Sequence, residues 1–190
     1  MVKTDRKRIG ELVKEKIEIV PYNPEWPKMF EGEESFLRSK IPTKLIGRIE
    51  HFGSTAIPNL SAKPIIDMLV EIKSVRKAKK KIVPILQNEG YEYFWRPSIG
   101  ENPPFYMWFI KRNKRGERTH HIHMVEKGSE LWKRLNFRDY LIKNPAPAEK
   151  YDILKKYLSK KYPNDRVKYT KAKSEFVEQI NQKSKEDDIS

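Results

Sequence analysis

The chain has 190 residues, with 40 Lys and Arg against 26 Asp and Glu, and its formal net charge is +14. This length fits one domain with its own hydrophobic core and excludes two large domains. No cysteine is present, which excludes disulfides, thiolate metal sites and cysteine nucleophiles and predicts a cytoplasmic location. No apolar run reaches the roughly 20 residues of a membrane helix, so no membrane partner is predicted, whereas the basic charge favours anionic ligands.

The first forty residues predict two helices with a short strand between them. Residues 1–16 are polar with apolar residues at helical spacing, and the segment IEIV at 17–20 has strand composition up to Pro21. Residues 22–41 predict a helix with one buried side. That side contains Trp26, Met29, Phe30, Phe36, Leu37 and Ile41.

The middle of the chain predicts a sheet and one further helix. That helix covers 74–91, with Ser74 as its N-cap, Pro84 inside it and Gly90 at its end. The last two strands form a hairpin across the turn NKRG. The strands are predicted at 44–52, 64–72, 91–95, 105–112 and 117–126, with a tight turn after the first at Gly53.

From residue 129 onward the sequence predicts helices. Apolar residues recur at steps of three and four in 129–144, 147–162 and 164–182, and prolines separate the three segments. We therefore predict one α+β domain over residues 1–190. Its parts are a core at 17–128 with a mixed β-sheet flanked by helices, a C-terminal three-helix layer at 129–183 and a frayed tail at 184–190.

One loop between two predicted strands carries residues suited to phosphate, in the string HFGSTAIPNLSAKPIID. Gly53 lets the chain approach a ligand closely, and Ser54 and Thr55 add hydroxyls beside exposed backbone N–H groups. Lys63 supplies positive charge. Asp67 opens the next strand, where a carboxylate beside phosphate implies a divalent cation between them. Taken alone, the glycine-serine turn is equally typical of an ordinary loop.

Five motifs follow one another along the chain: YNPEWPKMF, EHFGSTAIPNLSAKPIID, RTHHIHMVE, FRDYL and DRVKYTKAKSEF. In this order they resemble the GrpB family, which belongs to the DNA polymerase β-like nucleotidyltransferase superfamily, and the resemblance extends from about residue 17 to residue 180. It implies a nucleotidyltransferase-like mixed sheet flanked by helices. It also implies a glycine-serine turn after the first core strand and metal-binding acids on the next strand.

Within that resemblance, Gly53 and Ser54 match the phosphate-side turn, and Asp67 matches the first metal acid and is the candidate catalytic residue. The second acid of the superfamily would lie two residues later, where this chain has Leu69. Glu71 points to the same side of the strand but lies too far along it to share one ion directly. The acid cluster is therefore incomplete by comparison with the superfamily.

His121 and His123 match an HLH-like motif of the family and, two apart on a strand, point to the same side. With Asp67 they would offer two nitrogen ligands and one oxygen ligand to a divalent metal ion. The carboxylate favours Mg²⁺ or Mn²⁺, whereas imidazole favours a transition metal. The alternative is that both histidines are ordinary residues of the sheet. His51 either contacts phosphate or caps its strand.

Residues of the terminal helices also match family positions. Lys155, Arg166, Tyr169 and Lys173 are expected to form a basic wall that holds the tail of an anionic ligand, with Lys173 as a phosphate contact. The alternative is a solvated helix face. The aromatic run at 94–109 is expected to be mostly core.

Three functions are compatible with these observations. In the first, the protein binds a nucleoside triphosphate with a divalent metal and transfers a nucleotidyl group to an unknown acceptor. In the second, it binds a phosphorylated metabolite or a coenzyme A-related ligand without turnover, since relatives of the family occur fused to a dephospho-coenzyme A kinase. In the third, its basic surface binds nucleic acid, although no nucleic-acid motif supports this.

Overall fold

The structure, a computed structural model, describes residue 10, residue 12, and residues 14–96 and 105–187. Contacts among these residues form two compact units. The sheet unit contains Asn23–Ala56 and the described part of Ile65–Arg134, and the helical unit contains Ile57–Pro64, the described residues up to Tyr22 and those from Leu135 onward. The prediction of one domain over residues 1–190 stays a prediction.

The sheet unit is built on five strands. They are β1 (Ile46–His51), β2 (Ile66–Ile72), β3 (Glu92–Arg96), β4 (Tyr106–Arg112) and β5 (Arg118–Glu126). Their order in the sheet is β1-β2-β5-β4-β3. Strands β2 and β5 run parallel, and the other neighbouring pairs are antiparallel. The predicted α+β class with a mixed sheet is confirmed.

Strands β2 and β4 consist mostly of apolar residues, and the centre of the sheet is buried. Met68, Val70 and Ile122 are fully buried, as expected for strands with a neighbour on each side. In such a setting a charged or titratable side chain needs a specific partner, because burial of an unpaired charge is costly. Asp67 and His121 interrupt the apolar pattern of β2 and β5 at one shared position.

Two α-helices belong to the described sheet unit, α1 (Trp26–Lys40) and α2 (Val75–Asn88), beside short 3-10 turns that include Ser54–Ala56. α1 lies against the sheet face that carries His120, whose Nε2 is 3.4 Å from the carbonyl oxygen of Met29. The predicted N-cap of α2 is confirmed, since the Ser74 hydroxyl accepts a hydrogen bond from a backbone N–H of the first turn at 3.4 Å.

The buried side of α1 contains an acid that the apolar pattern did not predict. Glu33 is only 3% exposed, and its carboxylate accepts hydrogen bonds from the Tyr91 hydroxyl and the Lys111 ammonium group. Both partners come from distant parts of the chain. Periodicity could not reveal Glu33 as a core residue, because only the folded sheet supplies the groups that offset its burial.

The described part of the C-terminal region contains four helices, where three were predicted. The third predicted helix is divided at Lys173, whose N–H bonds to the Thr170 carbonyl at 3.3 Å, a tighter closure than the α-helical one. The last helix continues to Asp187, so residues 184–187 are helical where a frayed tail was predicted. The helices are α3 (Arg134–Lys143), α4 (Pro145–Lys161), α5 (Arg166–Ala172) and α6 (Ser174–Asp187).

The core of the helical unit joins its segments. A cluster of buried apolar side chains brings residues of the 57–64 segment together with residues of three helices. Its members are Ile57, Leu60, Leu141, Tyr151 and Ile180. The strand predicted at 17–20 is wrong. In this segment an isolated bridge pairs Val20 with Ala62, and the neighbouring residues do not continue the pairing into a strand.

The predicted helix at 1–16 lies mostly outside the described residues. Among the helices that the structure describes, none is long and apolar enough to span a bilayer. The cytoplasmic location stays a prediction.

Candidate functional site

The register of β2 against β5 places three candidate ligands on one face of the sheet. Asp67 pairs with His121, and Leu69 pairs with His123. Because side chains two apart on a strand share a face, the carboxylate and both imidazoles project to the same side. The sheet unit alone therefore assembles this group.

The three side chains converge closely enough to share one ion. The Oδ1 atom of Asp67 lies 3.1 Å from Nδ1 of His121 and 3.9 Å from Nε2 of His123. One ligand atom from each residue lies within 4.8 Å of the others. Both histidines are buried, whereas the Asp67 side chain is 30% exposed.

Gly53 is needed because the chain passes directly over the Asp67 carboxylate. A Cβ atom on Gly53 would lie 2.3 Å from Asp67 Oδ2, far inside contact distance. Among the described residues Gly53 is not one of the glycines with positive φ, so close approach and not unusual backbone geometry explains this glycine. The N–H of Phe52 donates to the Asp67 carbonyl oxygen at 3.0 Å and holds the turn in place.

The hydroxyl of Thr55 serves the turn itself. It donates to the carbonyl oxygen of Ile65 at 3.2 Å, and its oxygen lies 2.8 Å from Nε2 of His51. Thr55 is 1% exposed and its hydroxyl proton is donated within the chain, which gives this residue a structural role; the predicted phosphate contact of Thr55 stays a prediction. His51 stacks on Phe30 with ring centroids 5.0 Å apart and supports the turn.

Ser54 differs from Thr55 in its surroundings. Its side chain is half-buried, and its hydroxyl has no hydrogen-bond partner within the described parts of the chain. A donor of this kind beside the Asp67 carboxylate suits a ligand oxygen. The proposed role of Gly53 and Ser54 in phosphate binding stays a prediction.

The electrostatics of the site favour an ionised Asp67 carboxylate and disfavour a protonated His123 imidazole. Burial would by itself raise the pKa of Asp67, but hydrogen bonds and charge interactions with His121 and His123 outweigh it and hold that pKa well below its usual range. Burial lowers the pKa of His123, against the opposing effect of Asp67. Neutral imidazole and ionised carboxylate are the forms that bind a metal ion.

An aromatic and basic surround encloses the histidines. The Trp108 ring centroid lies 5.1 Å from that of His121 and 6.2 Å from that of His123. The guanidinium carbon of Arg96 lies 5.3 Å from the Trp108 ring centroid, and that of Arg134 lies 5.9 Å from the Phe52 ring centroid. Sequence reasoning treated this aromatic run as core and missed both arginines.

No second carboxylate joins the group among the described residues. Leu69 is fully buried at the position of the second superfamily acid. Glu71 lies against Gly47, where a Cβ atom would be 2.9 Å from its Oε1, and it does not reach the ligand atoms.

The predicted basic wall lies in the helical unit. The ammonium groups of Lys63 and Lys173 lie 5.9 Å and 4.4 Å from the centroid of the Tyr169 ring. Lys155 is 1% exposed and donates from Nζ to the carbonyl oxygen of Ser61. Lys63 and Lys173 thus share one tyrosine, while Lys155 has an internal partner. Their contact with an anionic ligand stays a prediction.

The donor set fits a divalent cation. Two imidazole nitrogens and one carboxylate oxygen on one face are a combination typical of transition-metal sites with open positions. At Gly53 the backbone packs directly against the Asp67 side chain, so this contact helps to fix the position of the carboxylate. This geometry agrees with a metal-binding role for Asp67, His121 and His123, which stays a prediction.

Comparison with known proteins gives a consistent result. The family description "GrpB protein" matches residues 16–183. The "Glutamate-rich protein GrpB" of Alkalihalophilus pseudofirmus is 37% identical over 163 residues, which cover 85% of this chain and 92% of that protein. The crystal structure of conserved protein GrpB from Enterococcus faecalis superposes with a TM-score of 0.78 at 31% identity, covering 91% of this chain and 100% of that one.

A more local similarity links the chain to a named enzyme. The "Dephospho-CoA kinase" of Mycolicibacterium paratuberculosis is 30% identical over 73 residues. These residues cover 37% of this chain and only 18% of that protein. The similarity therefore concerns a small part of the kinase.

Proposed function

The chain belongs to the GrpB family, and from the convergence of Asp67, His121 and His123 we propose that it binds a divalent metal together with a phosphorylated ligand, with a nucleotide as the first candidate. Family membership supports a nucleotidyltransferase-like superfamily. The proposal adds the metal, the ligand class and the residues that hold them.

The observation that carries the proposal is the distance among the ligand atoms. A carboxylate oxygen and two imidazole nitrogens within 4.8 Å are rarely assembled by core packing alone, because burying them is costly without a partner that uses all three. Three protein ligands leave further coordination positions on a divalent ion, which ligand oxygens would fill.

A bound metal would supply positive charge next to a phosphoryl group. The remaining contributions come from the chain itself. The turn at Gly53 holds the Asp67 carboxylate in position, and the Ser54 hydroxyl is proposed to donate to a ligand oxygen. Lys63 and Lys173, which both belong to the helical unit, are kept as proposed phosphate contacts. In the enzymatic version of this proposal, the ligand is a nucleoside triphosphate and its nucleotidyl group passes to an acceptor.

Leu69 occupies the position of the second metal-binding acid, and this replacement is the reason to consider ligand binding without catalysis. Phosphoryl transfer with two metal ions uses a denser set of carboxylates than one aspartate provides. The second candidate function is therefore binding of a phosphorylated metabolite or coenzyme A-related ligand without turnover, and the local similarity to a dephospho-CoA kinase favours it.

Metal binding is tested by calorimetric titration of the metal-free protein with Mn²⁺, Zn²⁺ and Mg²⁺. We expect saturable binding of one ion, weakened by more than about tenfold in Asp67→Asn and in His123→Gln. His120→Gln is the matched control, since His120 is a buried histidine of the same strand on the opposite face. Equal affinity in wild type and Asp67→Asn, or no binding of any ion, would refute the proposal.

Turnover is tested by incubating the protein with each of the four nucleoside triphosphates and Mn²⁺ and measuring pyrophosphate release. Release by wild type that is absent from Asp67→Ala supports transfer and refutes the binding-only candidate. Nucleotide binding without release supports the second candidate. Binding of an oligonucleotide that weakens steeply with salt, with no nucleotide binding, would instead favour nucleic acid as the partner.

A further inference from the structure

Two buried hydrogen-bond donors beside the histidines have no acceptor. Nε1 of Trp108 and Nε of Arg96 are inaccessible to solvent and make no hydrogen bond with the described residues. Indole Nε1 and guanidinium Nε can only donate. Nδ1 of His123 is buried without a hydrogen-bond partner in the same sense. A buried donor left without an acceptor costs about 1–3 kcal/mol, so their presence together calls for an explanation.

The three groups belong to one small region. The Trp108 ring lies between the histidines and Arg96: its centroid is 6.2 Å from that of His123 and 5.3 Å from the Arg96 guanidinium carbon. Trp108 pairs with His123 across β4 and β5, so both side chains stand on the sheet face that also carries Asp67. The unsatisfied donors therefore adjoin the candidate metal ligands.

This region is also short of negative charge. Arg96 and Arg134 both act electrostatically on His123, and neither forms an ion pair within the described residues. Asp67 is the acid that opposes them there. An anion rich in oxygen atoms would accept hydrogen bonds from Trp108 and Arg96 and would also balance the positive charges of Arg96 and Arg134.

A second arginine–tryptophan pair in the sheet unit shows that this arrangement is not simply how the fold packs such residues. The guanidinium carbon of Arg48 lies 4.0 Å from the Trp132 ring centroid. There the indole Nε1 donates to the carbonyl oxygen of Glu126 at 3.1 Å. The unsatisfied indole is thus a property of Trp108 and its surroundings.

We infer that Trp108, Arg96 and Arg134 form an anion subsite that receives a phosphoryl group of the ligand, beside the metal ligands Asp67, His121 and His123. This inference rests on the proposed function for the identity of the ligand, and it assigns the group that the indole and guanidinium donors recognise. A doubly charged phosphoryl group matches two arginines better than a carboxylate with one charge. The subsite gives the aromatic run a specificity role in addition to its place in the core.

The test follows the indole N–H of Trp108 directly. Protein labelled with ¹⁵N in its four tryptophan indoles is titrated with inorganic phosphate in EDTA, and Trp108→Phe identifies the Trp108 signal. We expect this signal to move saturably as its N–H gains an acceptor, while the Trp132 signal stays in place. Arg96→Gln should weaken the apparent affinity roughly tenfold, because a charge-assisted hydrogen bond is lost, whereas the matched control Arg48→Gln should not change it.

Several results would overturn the inference. These are a stationary Trp108 signal, an equal shift with chloride at the same ionic strength, the same affinity in Arg96→Gln as in wild type, or tighter binding of acetate than of phosphate. Manganese binding, measured separately, keeps this test distinct from that of the proposed function. If the wild-type protein does not bind Mn²⁺ but its Trp108 signal responds to phosphate, the proposed function alone is contradicted. If it binds Mn²⁺ but the Trp108 signal does not respond to phosphate, the anion subsite alone is contradicted.

Discussion

The carboxylate of Asp67 faces the imidazole of His121 across two parallel strands, with Oδ1 and Nδ1 3.1 Å apart. The residues are 54 positions apart in the chain, and the pairing of β2 with β5 brings them together. Because side chains alternate between the two faces of a strand, a one-residue slip of β5 against β2 would place His121 on the opposite face of the sheet from Asp67. The candidate site therefore depends on the central pairing of the sheet.

Replacing Gly53 by alanine should displace the Asp67 carboxylate. The new methyl group would lie 2.3 Å from Oδ2, so either the side chain or the turn must move. We expect Mn²⁺ affinity to fall by about tenfold or more and the free energy of unfolding to fall by about 1–3 kcal/mol. Calorimetric titration and urea denaturation measure the two effects.

The control for that substitution is Gly32→Ala in α1, where nothing lies within 4 Å of the added methyl group. Alanine in a helix interior is favoured over glycine, so this variant should gain about 0.5–1 kcal/mol and keep its metal affinity. Unchanged metal affinity in Gly53→Ala would show that Asp67 is not positioned by this contact.

Ser54 and Thr55 are neighbours that should respond in opposite ways. Thr55→Val leaves the Ile65 carbonyl and the His51 ring without their partner, and we expect a loss of about 1–3 kcal/mol in unfolding free energy. Ser54→Ala removes a hydroxyl without an internal partner, so stability should hold within about 0.5 kcal/mol while nucleotide affinity falls. The opposite pattern would restore Thr55 as the ligand contact.

Glu33 should be among the acids that matter most for the stability of the sheet unit. Glu33→Ala leaves the Lys111 ammonium and the buried Tyr91 hydroxyl without their acceptor, and we expect a loss of about 3 kcal/mol. The control is Glu34→Ala, which breaks an accessible pair with Arg38 and should cost less than about 1 kcal/mol. Urea denaturation of both variants, with midpoints compared at a constant m-value, measures the two losses in unfolding free energy. Equal losses would contradict the role of Glu33 as the acceptor for Tyr91 and Lys111.

Lys155 should make the stability of the protein depend on pH. Burial lowers its pKa to about 7, against an unfolded value of about 10.4. Between these values the unfolded chain holds a proton that the folded protein has released, so raising the pH favours the folded state. Relative to Lys155→Met, wild type should gain roughly 4 kcal/mol between pH 7 and pH 10, with little change below pH 7.

The measurement is the difference in unfolding free energy between wild type and Lys155→Met at several pH values. Exposed Lys160→Met serves as the control and should track wild type throughout. A difference that does not change with pH would show that Lys155 stays protonated in the folded protein.

Most elements of the sheet unit were predictable because local patterns specify them. The apolar runs in β2 and β4, the Ser74 cap of α2 and the turn before β5 each involve residues close in sequence. The division of the last helix at Lys173 and the loss of the strand at 17–20 were not predictable. A strand needs a neighbouring strand to pair with, and the pattern within the segment 17–20 does not report whether one is present.

By itself, the sequence determined the chemistry that is available: one aspartate at the head of an apolar strand, two histidines at strand spacing, and a glycine-serine pair in the loop before that strand. Only the tertiary structure decided that these groups meet, that Thr55 turns inward while Ser54 does not, and that Trp108 keeps an indole N–H without an acceptor. The physical reason is that periodicity fixes the face on which a side chain stands, whereas strand register and the packing of distant segments fix its neighbours.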